Sequence, residues 1–408
     1  MQVLAVNVES YFKSIGVGRP KSDAVYVKQG LKRFGKAFEE LTVLIGARAN
    51  GIDADPYELK NSSLDLSLYV GEYHVSSVWR EFASWLVKEN FSPPAEILDL
   101  GCENGVLTCL YATLWPGAKV IGVDRSATAV AAARELAKQL DLRNVRFEQS
   151  DARRYLDLNV NRFQIITATL VMHEFLARPQ ARKPFTWESE YNRIEDITLT
   201  DADLHAVETL KAVGRALTVG GVFVSLDRSP VLASKWWYTQ CLEKAGMKLS
   251  LARSYLIESS GPSGVERFPV SVARCAHEGE SKTTPAELVS LASFKELSAL
   301  KLRVQGDLAD AFVRSIGPTE ILFDAVCEYL DGSGTRTIQL LKAPAVLVLH
   351  DFTNHGFNAA SIAPLVALPE MLSQCNEITS GLEVHCVVQK SVTESAISWL
   401  SRLDYPTE

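Results

Sequence analysis

The sequence predicts an α/β protein built on a doubly wound, mainly parallel sheet of seven strands, with a helical segment before it and a smaller α/β region after it. Three observations carry this reading. From Glu96 onward, short apolar runs alternate with helical patterns, and parallel strands need crossover connections of that kind. The run EILDLGCENG reads as a buried strand (Ile97, Leu98, Leu100) that turns through glycines into a helix. The next strand, KVIGVD, closes on an acid 25 residues after Asp99, well placed to accept hydrogen bonds from a ribose diol. A glycine turn between a strand's carboxyl end and a helix lets backbone N–H groups approach a ligand closely. Together these features point to an adenosine-containing ligand.

The whole chain sets the bounds. At 408 residues it is long for one domain, so two or three units are expected. Net charge is −7 and the lysines and arginines are scattered, which argues against extended nucleic-acid contact. No apolar run approaches the roughly 18 residues a membrane span needs. The opening MQVLAVNVESYFKSIG has Glu9 early and no basic flank, so no secretory signal is read there. Seven widely spaced cysteines form no CxxC pair, which fits reduced, buried thiols in a cytosolic protein better than a disulfide or zinc framework. No metal site is expected.

Residues 1–92 read as a helical segment. Leu31, Phe34, Phe38, Leu41 and Leu44 follow helical spacing and stop at Asn50-Gly51. The polar stretch KNSSLDLSLYVGEYH then leads into an aromatic helix carrying Trp79, Phe82 and Trp85. This segment either packs on the core or acts as a lid over the ligand, with Tyr69 and Tyr73 as candidate contacts. After Pro93-Pro94 the core spans 93–278. Its strands are expected at Glu96–Leu100, Lys119–Val123, Val145–Gln149, Phe163–Thr169 and Val222–Asp227. The runs Ala252–Glu258 and Glu266–Arg274, joined by SSGPSGV, read as an antiparallel hairpin at the sheet edge. EGESKTTP is the best linker in the chain. Beyond it, an α/β accessory region at 286–408 is expected. Its helices are read at Ala286–Leu302, Asp307–Ser315, Thr319–Leu330 and Ala359–Gln374, and its strands at TRTIQLL, AVLVLHDF and Gly381–Gln389.

The run Asp99-Leu-Gly101-Cys-Glu-Asn-Gly105, the strand-end acid Asp124 in VIGVDRS and Asp151 in FEQSDARRY resemble class I S-adenosyl-L-methionine (AdoMet)-dependent methyltransferases over roughly residues 73–277. Five parallel strands and a late hairpin are also that family's Rossmann-like arrangement. The resemblance implies AdoMet as cofactor. Gly101 would let the turn pass close to the methionyl part, with backbone groups around Cys102 and Gly105 nearby. Asp99 would order that turn or meet the ligand's ammonium. Asp124, beside Arg125, would accept from the ribose hydroxyls, Asp151 from the adenine amino group, and Ala152 would donate its N–H to the ring. Thr169 and the residues after it would border the methyl being moved. Asp124 and Asp151 also have a plainer reading, as helix N-caps. The family's central glycine is here Glu103, whose carboxylate either pairs with the ligand's ammonium or repels its carboxylate.

Methyl transfer from a sulfonium needs chiefly a positioned, desolvated acceptor. Where the acceptor must lose a proton, His173 just past the fourth strand is the first candidate for the base and Glu174 the second. His173 merely shaping the pocket is the plainer alternative. The irregular stretch from Leu176 to about Thr200 carries Trp187, Glu188, Glu190 and Tyr191, suited to an acceptor lid or simply a solvated insertion. Trp237, after the fifth strand, reads as either core or acceptor contact. His350, Asp351 and His355 are read as a polar strand end rather than metal ligands.

The expected activity is transfer of a methyl group to an O, N or C atom of a small molecule. The C-terminal region would contribute to acceptor selection or dimerisation. A protein acceptor, arginine included, is the alternative, although the paired glutamates of a protein arginine methyltransferase are absent at their spacing. A methyltransferase-fold scaffold without activity is the other.

Overall fold

A computed structural model of the chain describes residues 7–49, 52, 54–89, 91–172, 199, 203–227, 232–250, 253–261, 264–280, 282–283, 302–305, 309, 313, 319–343 and 346–403. They fall into two compact units, one within 1–179, 199–230 and 239–280, the other within 180–198, 231–238 and 281–408.

The first unit opens with helices α1 (Val8–Ser14), α2 (Asp23–Phe34), α3 (Lys36–Ala49), α4 (Tyr57–Lys60), α5 (Leu64–His74) and α6 (Ser76–Glu89). Two of these starts follow from local chemistry: Asn7 accepts from the Ser10 N–H and Ser63 from the Leu66 N–H as side-chain caps. The segment is not an appendage. Tyr11, Phe12, Trp79, Phe82 and Trp85 are buried in one cluster with Ile97, Leu110 and Ala133 of the core. Arg80, buried at 6% exposure, donates to the Val17 carbonyl and lies 4.5 Å over the Phe12 ring.

The sheet alternates with helices as expected: β1 (Glu96–Leu100), α7 (Val106–Leu114), β2 (Lys119–Asp124), α8 (Ala127–Gln139), β3 (Val145–Gln149), α9 (Ala152–Asp157), β4 (Phe163–Thr169), α10 (Leu204–Ala216), β5 (Leu217–Leu226) and α11 (Leu232–Lys244). Strands β6 (Met247–Leu249), β7 (Tyr255–Gly261) and β8 (Gly264–Cys275) follow. Their order is β3-β2-β1-β4-β5-β8-β6, a seven-strand path from which β7 pairs off β8 as an eighth. The first five strands pair in parallel, and β8 runs antiparallel to β5. The β7-β8 hairpin closes this end of the sheet as expected, and β8 also pairs with the short β6, which the sequence did not show. With three residues, β6 is too short for a period-2 pattern to show.

The second unit contains a six-stranded sheet of order β14-β10-β11-β12-β13-β9. Its strands are β9 (Leu302–Gln305), β10 (Glu320–Tyr329), β11 (Thr335–Lys342), β12 (Val346–Thr353), β13 (Asn358–Pro364) and β14 (Cys386–Val392), with helices α12 (Leu368–Leu382) and α13 (Glu394–Leu403). All its pairings are antiparallel. Leu368, Met371, Leu372 and Cys375 of α12 share a core with Phe323, Ala325, Ile338, Leu340 and Leu349. Three sequence expectations are corrected here. Thr319–Leu330 is not a helix: Phe323, Ala325 and Cys327 are all buried while Asp324, Val326 and Glu328 are less so or exposed, a strand's alternation. The segment Ala359–Gln374 divides into strand β13 and the first part of α12, and the following strand starts at Cys386 rather than Gly381. The expected helices at 286–302 and 307–315 lie outside the described residues, apart from Leu302, which begins β9, and residues 309 and 313. His350 meets Asn358 at 2.9 Å, and Arg336 grips Asp351 bidentately at 2.7 and 2.6 Å, so two residues of the HDFTNH run are engaged within the sheet.

Candidate ligand site

The site follows from strand register. Leu100 pairs with Val123 on one side and Ala168 on the other. Gly101, Asp124 and Thr169 thus emerge level with one another, at the point where the chain switches from building the β2-β3 side of the sheet to the β4-β5 side. Crevices outside the carboxyl ends of parallel strands form at such switch points. Here the crevice is a cavity of about 530 Å³, lined by Gly101, Glu103, Asp124, Arg125, Ser126, Ser150, Ala152, Thr169, Leu170 and Val171 from the core. Small-ligand sites run from about 300 to 1,000 Å³. Its remaining wall comes from the helical segment: Arg48, Asp55, Tyr57, Glu58, Lys60, Asn61, Val75 and Trp79.

Backbone geometry holds the turn open. Gly101 has φ +65°, and a Cβ there would stand 2.6 Å from Val171 Cγ2. Glu103 (φ 48°) and Leu170 (φ 58°), two non-glycine residues in the left-handed region, both line the cavity. Such outliers persist only where surrounding structure over-determines them, as at ligand sites.

Asp124 is held by the same turn. Its Oδ2 accepts from the Glu103 N–H and its Oδ1 from the Ser126 N–H, each at 2.9 Å. Burial raises its pKa, these two N–H groups lower it, and the Glu103 charge raises it again. Each carboxylate oxygen has two lone pairs, so capacity remains for hydroxyl donors from the cavity. Ser126 caps α8, accepting from the Ala129 N–H at 3.1 Å.

Several expected ligand residues do other work. Asp99 does not reach the cavity. It is 3% exposed, with Thr108 donating to Oδ2 at 2.5 Å and Thr167 to Oδ1 at 2.7 Å, so it ties β1 to α7 and β4. The Cys102 thiol is buried, and burial together with the Asp99 and Asp124 charges raises its pKa. Gly105, at φ +77°, serves packing: a Cβ would meet Ala133 Cβ at 2.8 Å and the Phe147 ring at 2.9 Å. Asp151 is the N-cap of α9, its Oδ1 accepting from the Arg154 N–H at 2.9 Å, while its neighbours Ser150 and Ala152 line the cavity. Tyr73 is also displaced from its expected role. Its ring stacks on Tyr26 at 3.8 Å and its hydroxyl donates to Asp23, and Tyr69 joins the same cluster. Trp237 is buried, at 7% exposure. His173, Glu174, Trp187, Glu188, Glu190 and Tyr191 lie outside the described residues.

Burial raises the Asp99 pKa from 3.8 to about 6, against the two threonine hydrogen bonds that lower it. A carboxyl whose pKa is higher in the folded state adds stability below its unfolded pKa, and that contribution is lost as pH rises through about 6. Asp99→Asn, neutral at every pH, should therefore raise the melting temperature by several degrees at pH 7.5, with roughly 1–3 kcal/mol as the scale. At pH 4 the gain should nearly vanish. Thermal melts at both pH values check this, and an equal gain or a loss at both would refute it.

Sequence reasoning missed the polar wiring between helical segment and motif turn. Asn104, 1% exposed, donates to the Ser67 hydroxyl at 2.9 Å, and Ser67 donates to Asn61 Oδ1 at 2.6 Å. Glu103 faces the Lys60 ammonium as an ion pair. Thr128 of α8 donates to Glu58 at 2.8 Å, pinning α4 over the same wall. The only sequence signal for any of this was the polar stretch KNSSLDLSLYVGEYH itself.

Residues 92–246 match the family model described as a methyltransferase domain. No curated protein sequence matches the chain. Among solved structures, the chain is similar to a SAM-dependent methyltransferase from Aquifex aeolicus at 16% identity, over 47% of this chain and 88% of that one, with a TM-score of 0.32. It is similar to the mitomycin 7-O-methyltransferase MmcR at 15% identity, over 65% and 75%, with a TM-score of 0.38. A ribosomal protein L11 methylase from Lactobacillus delbrueckii subsp. bulgaricus matches at 15% identity, over 49% and 79%, with a TM-score of 0.32. Among the described residues, no helix is long and apolar enough to cross a membrane.

Proposed function

From the premise that residues 92–246 form a class I methyltransferase core, we propose that the chain binds AdoMet over Gly101 and transfers its methyl group to a small-molecule acceptor. The observation carrying this is the shared level of Gly101, Asp124 and Thr169 around one cavity. The residues present fit the cofactor: a turn where a Cβ has no room, a strand-end carboxylate with spare acceptor capacity, and backbone at Ser150 and Ala152 for a flat ring. When bound, AdoMet would supply an activated methyl on a sulfonium, with a neutral thioether as the leaving group.

The chain's own residues bind, orient and exclude water. Asp124 accepts from the ribose hydroxyls, and Gly101 leaves room for the methionyl tail. Thr169, Leu170 and Trp79 line the cavity, and a desolvated acceptor held against them would gain from fixed geometry. His173 follows β4 by four residues and serves as the base that takes the acceptor's proton, with Glu174 as its alternate. Trp187, Glu188, Glu190 and Tyr191 are assigned to acceptor binding on their residue types alone. Residues 286–408 contribute to acceptor choice or dimerisation.

Methyl-labelled AdoMet incubated with fractionated lysate and the full chain, wild type beside His173→Ala, tests this. Label should enter small molecules, and His173→Ala should slow incorporation by roughly 10²–10⁴-fold, the range for a general base. Label in protein would redirect the acceptor class. No incorporation from any fraction would leave a fold kept for binding, and unchanged turnover of His173→Ala would reduce that histidine to pocket lining.

A further inference from the structure

Glu103 occupies a backbone conformation that favours glycine, at φ 48°, so its side chain is carried at a conformational cost. The side chain does not turn to solvent. It is 25% exposed, and its Oε1 lies against the ammonium of Lys60, itself 14% exposed. The contact is Coulombic: Oε1 accepts no hydrogen bond of ordinary geometry. Both residues line the cavity beside Gly101. Lys60 carries three donors and Glu103 two acceptor oxygens, so the pair retains capacity for a ligand of mixed charge.

The two charges are held from both sides. The Glu103 N–H is bound to Asp124 Oδ2, which fixes the residue's backbone. Lys60 ends α4, which is anchored by the Thr128 hydrogen bond to Glu58 and, one residue later, by Asn61 accepting from Ser67. A fixed cation and anion, side by side and mostly shielded from water, match a group that itself bears one anion and one cation on the same carbon.

We propose that Lys60 and Glu103 form a two-point receptor for a free α-amino-acid group, Lys60 taking the α-carboxylate and Glu103 the α-ammonium. This rests on the AdoMet reading and sharpens it: the site would select ligands that keep the amino-acid tail over those that keep only the adenosine part. A glycine at position 103 would offer backbone alone and no charge to the ammonium. The Glu103 side chain thereby makes affinity depend on a residue of the helical segment.

Calorimetry on the full chain with S-adenosylhomocysteine and with 5′-methylthioadenosine, which lacks the amino-acid group, separates the roles. Lys60→Met and Glu103→Gln should each weaken S-adenosylhomocysteine roughly 10- to 100-fold, the scale of one charge-assisted hydrogen bond. 5′-Methylthioadenosine should stay within about twofold, which also reports that each variant is folded. Lys60→Arg, which keeps the charge, should retain most of the tail-dependent affinity. Equal losses for both ligands, or no loss for either, would overturn the receptor and leave a latch holding α4. Wild-type protein that binds neither ligand would remove the AdoMet reading itself, and the receptor with it. Wild-type protein that binds 5′-methylthioadenosine as tightly as S-adenosylhomocysteine would overturn the receptor alone.

Discussion

Asp124→Asn should weaken AdoMet by roughly 100-fold or more, because two charge-assisted hydrogen bonds to a ribose diol are lost together at about 1.5–3 kcal/mol each. The asparagine keeps the side chain's shape, and its Oδ1 can still accept one of the two backbone N–H groups that Asp124 holds at 2.9 Å. The amide it gains meets the other backbone N–H and a donating ribose hydroxyl, so the turn loses one hydrogen bond and the ligand loses its charged acceptor. Asp124→Ala would be less informative, since it strands both N–H groups. Burial raises the Asp124 pKa, so its acceptor capacity is lost at a higher pH than an ordinary carboxylate's. Wild-type affinity should accordingly fall as the solution is acidified towards that pKa, whereas that limb of the pH profile should be missing in Asp124→Asn. Calorimetry from neutral to mildly acid pH measures both effects. Wild-type affinity in the variant would remove Asp124 from the site.

Gly101→Ala should both destabilise the first unit and close its cavity. The left-handed backbone costs an alanine about 1–2 kcal/mol. The added Cβ would stand 2.6 Å from Val171 Cγ2 and 3.0 Å from Val171 Cβ, which is the root of a β-branched side chain rather than a flexible tip. Relieving that overlap costs roughly 1–3 kcal/mol more. The displaced Val171 is itself a cavity residue next to Leu170, whose N–H is bound to the Leu226 carbonyl at 2.7 Å. A total loss of about 2–5 kcal/mol in denaturant unfolding is expected, together with much weaker AdoMet binding. A variant as stable as wild type, with normal affinity, would show that the turn has slack the geometry does not provide.

The parts of this protein legible in the sequence are those encoded locally. The first five strands and the helices between them announced themselves by apolar runs of the right length, broken at turn residues. Gly101 and Asp124 were legible because glycine conformation and a strand-end acid act within a few residues of chain. Asp151 was legible as one of two roles, and its cap bond to Arg154 shows the plainer one in place. The C-terminal sheet was read less well. In TEILFDAVCEYL, apolar residues recur closely enough to mimic a helix, and only pairing with β11 and β14 on either side makes a strand of Glu320–Tyr329.

What the tertiary structure alone decided is which side chains meet. Asp99 turned inward because Thr108 and Thr167 are there to receive it, and Tyr73 was taken up by stacking on Tyr26. Glu103 reads in sequence as a glycine position filled by a charge of unknown partner. In the fold it faces Lys60, 43 residues earlier, while Asn104 reaches Ser67. Such pairs carry no periodicity, since a Coulombic contact depends on distance and burial and not on spacing along the chain. The strand-turn-helix pattern determined which end of the sheet carries the cavity. The packing of α4 and α5 over that end decided what the cavity presents, because it brings the charges of Lys60 and Glu103, remote in sequence, against each other in its wall.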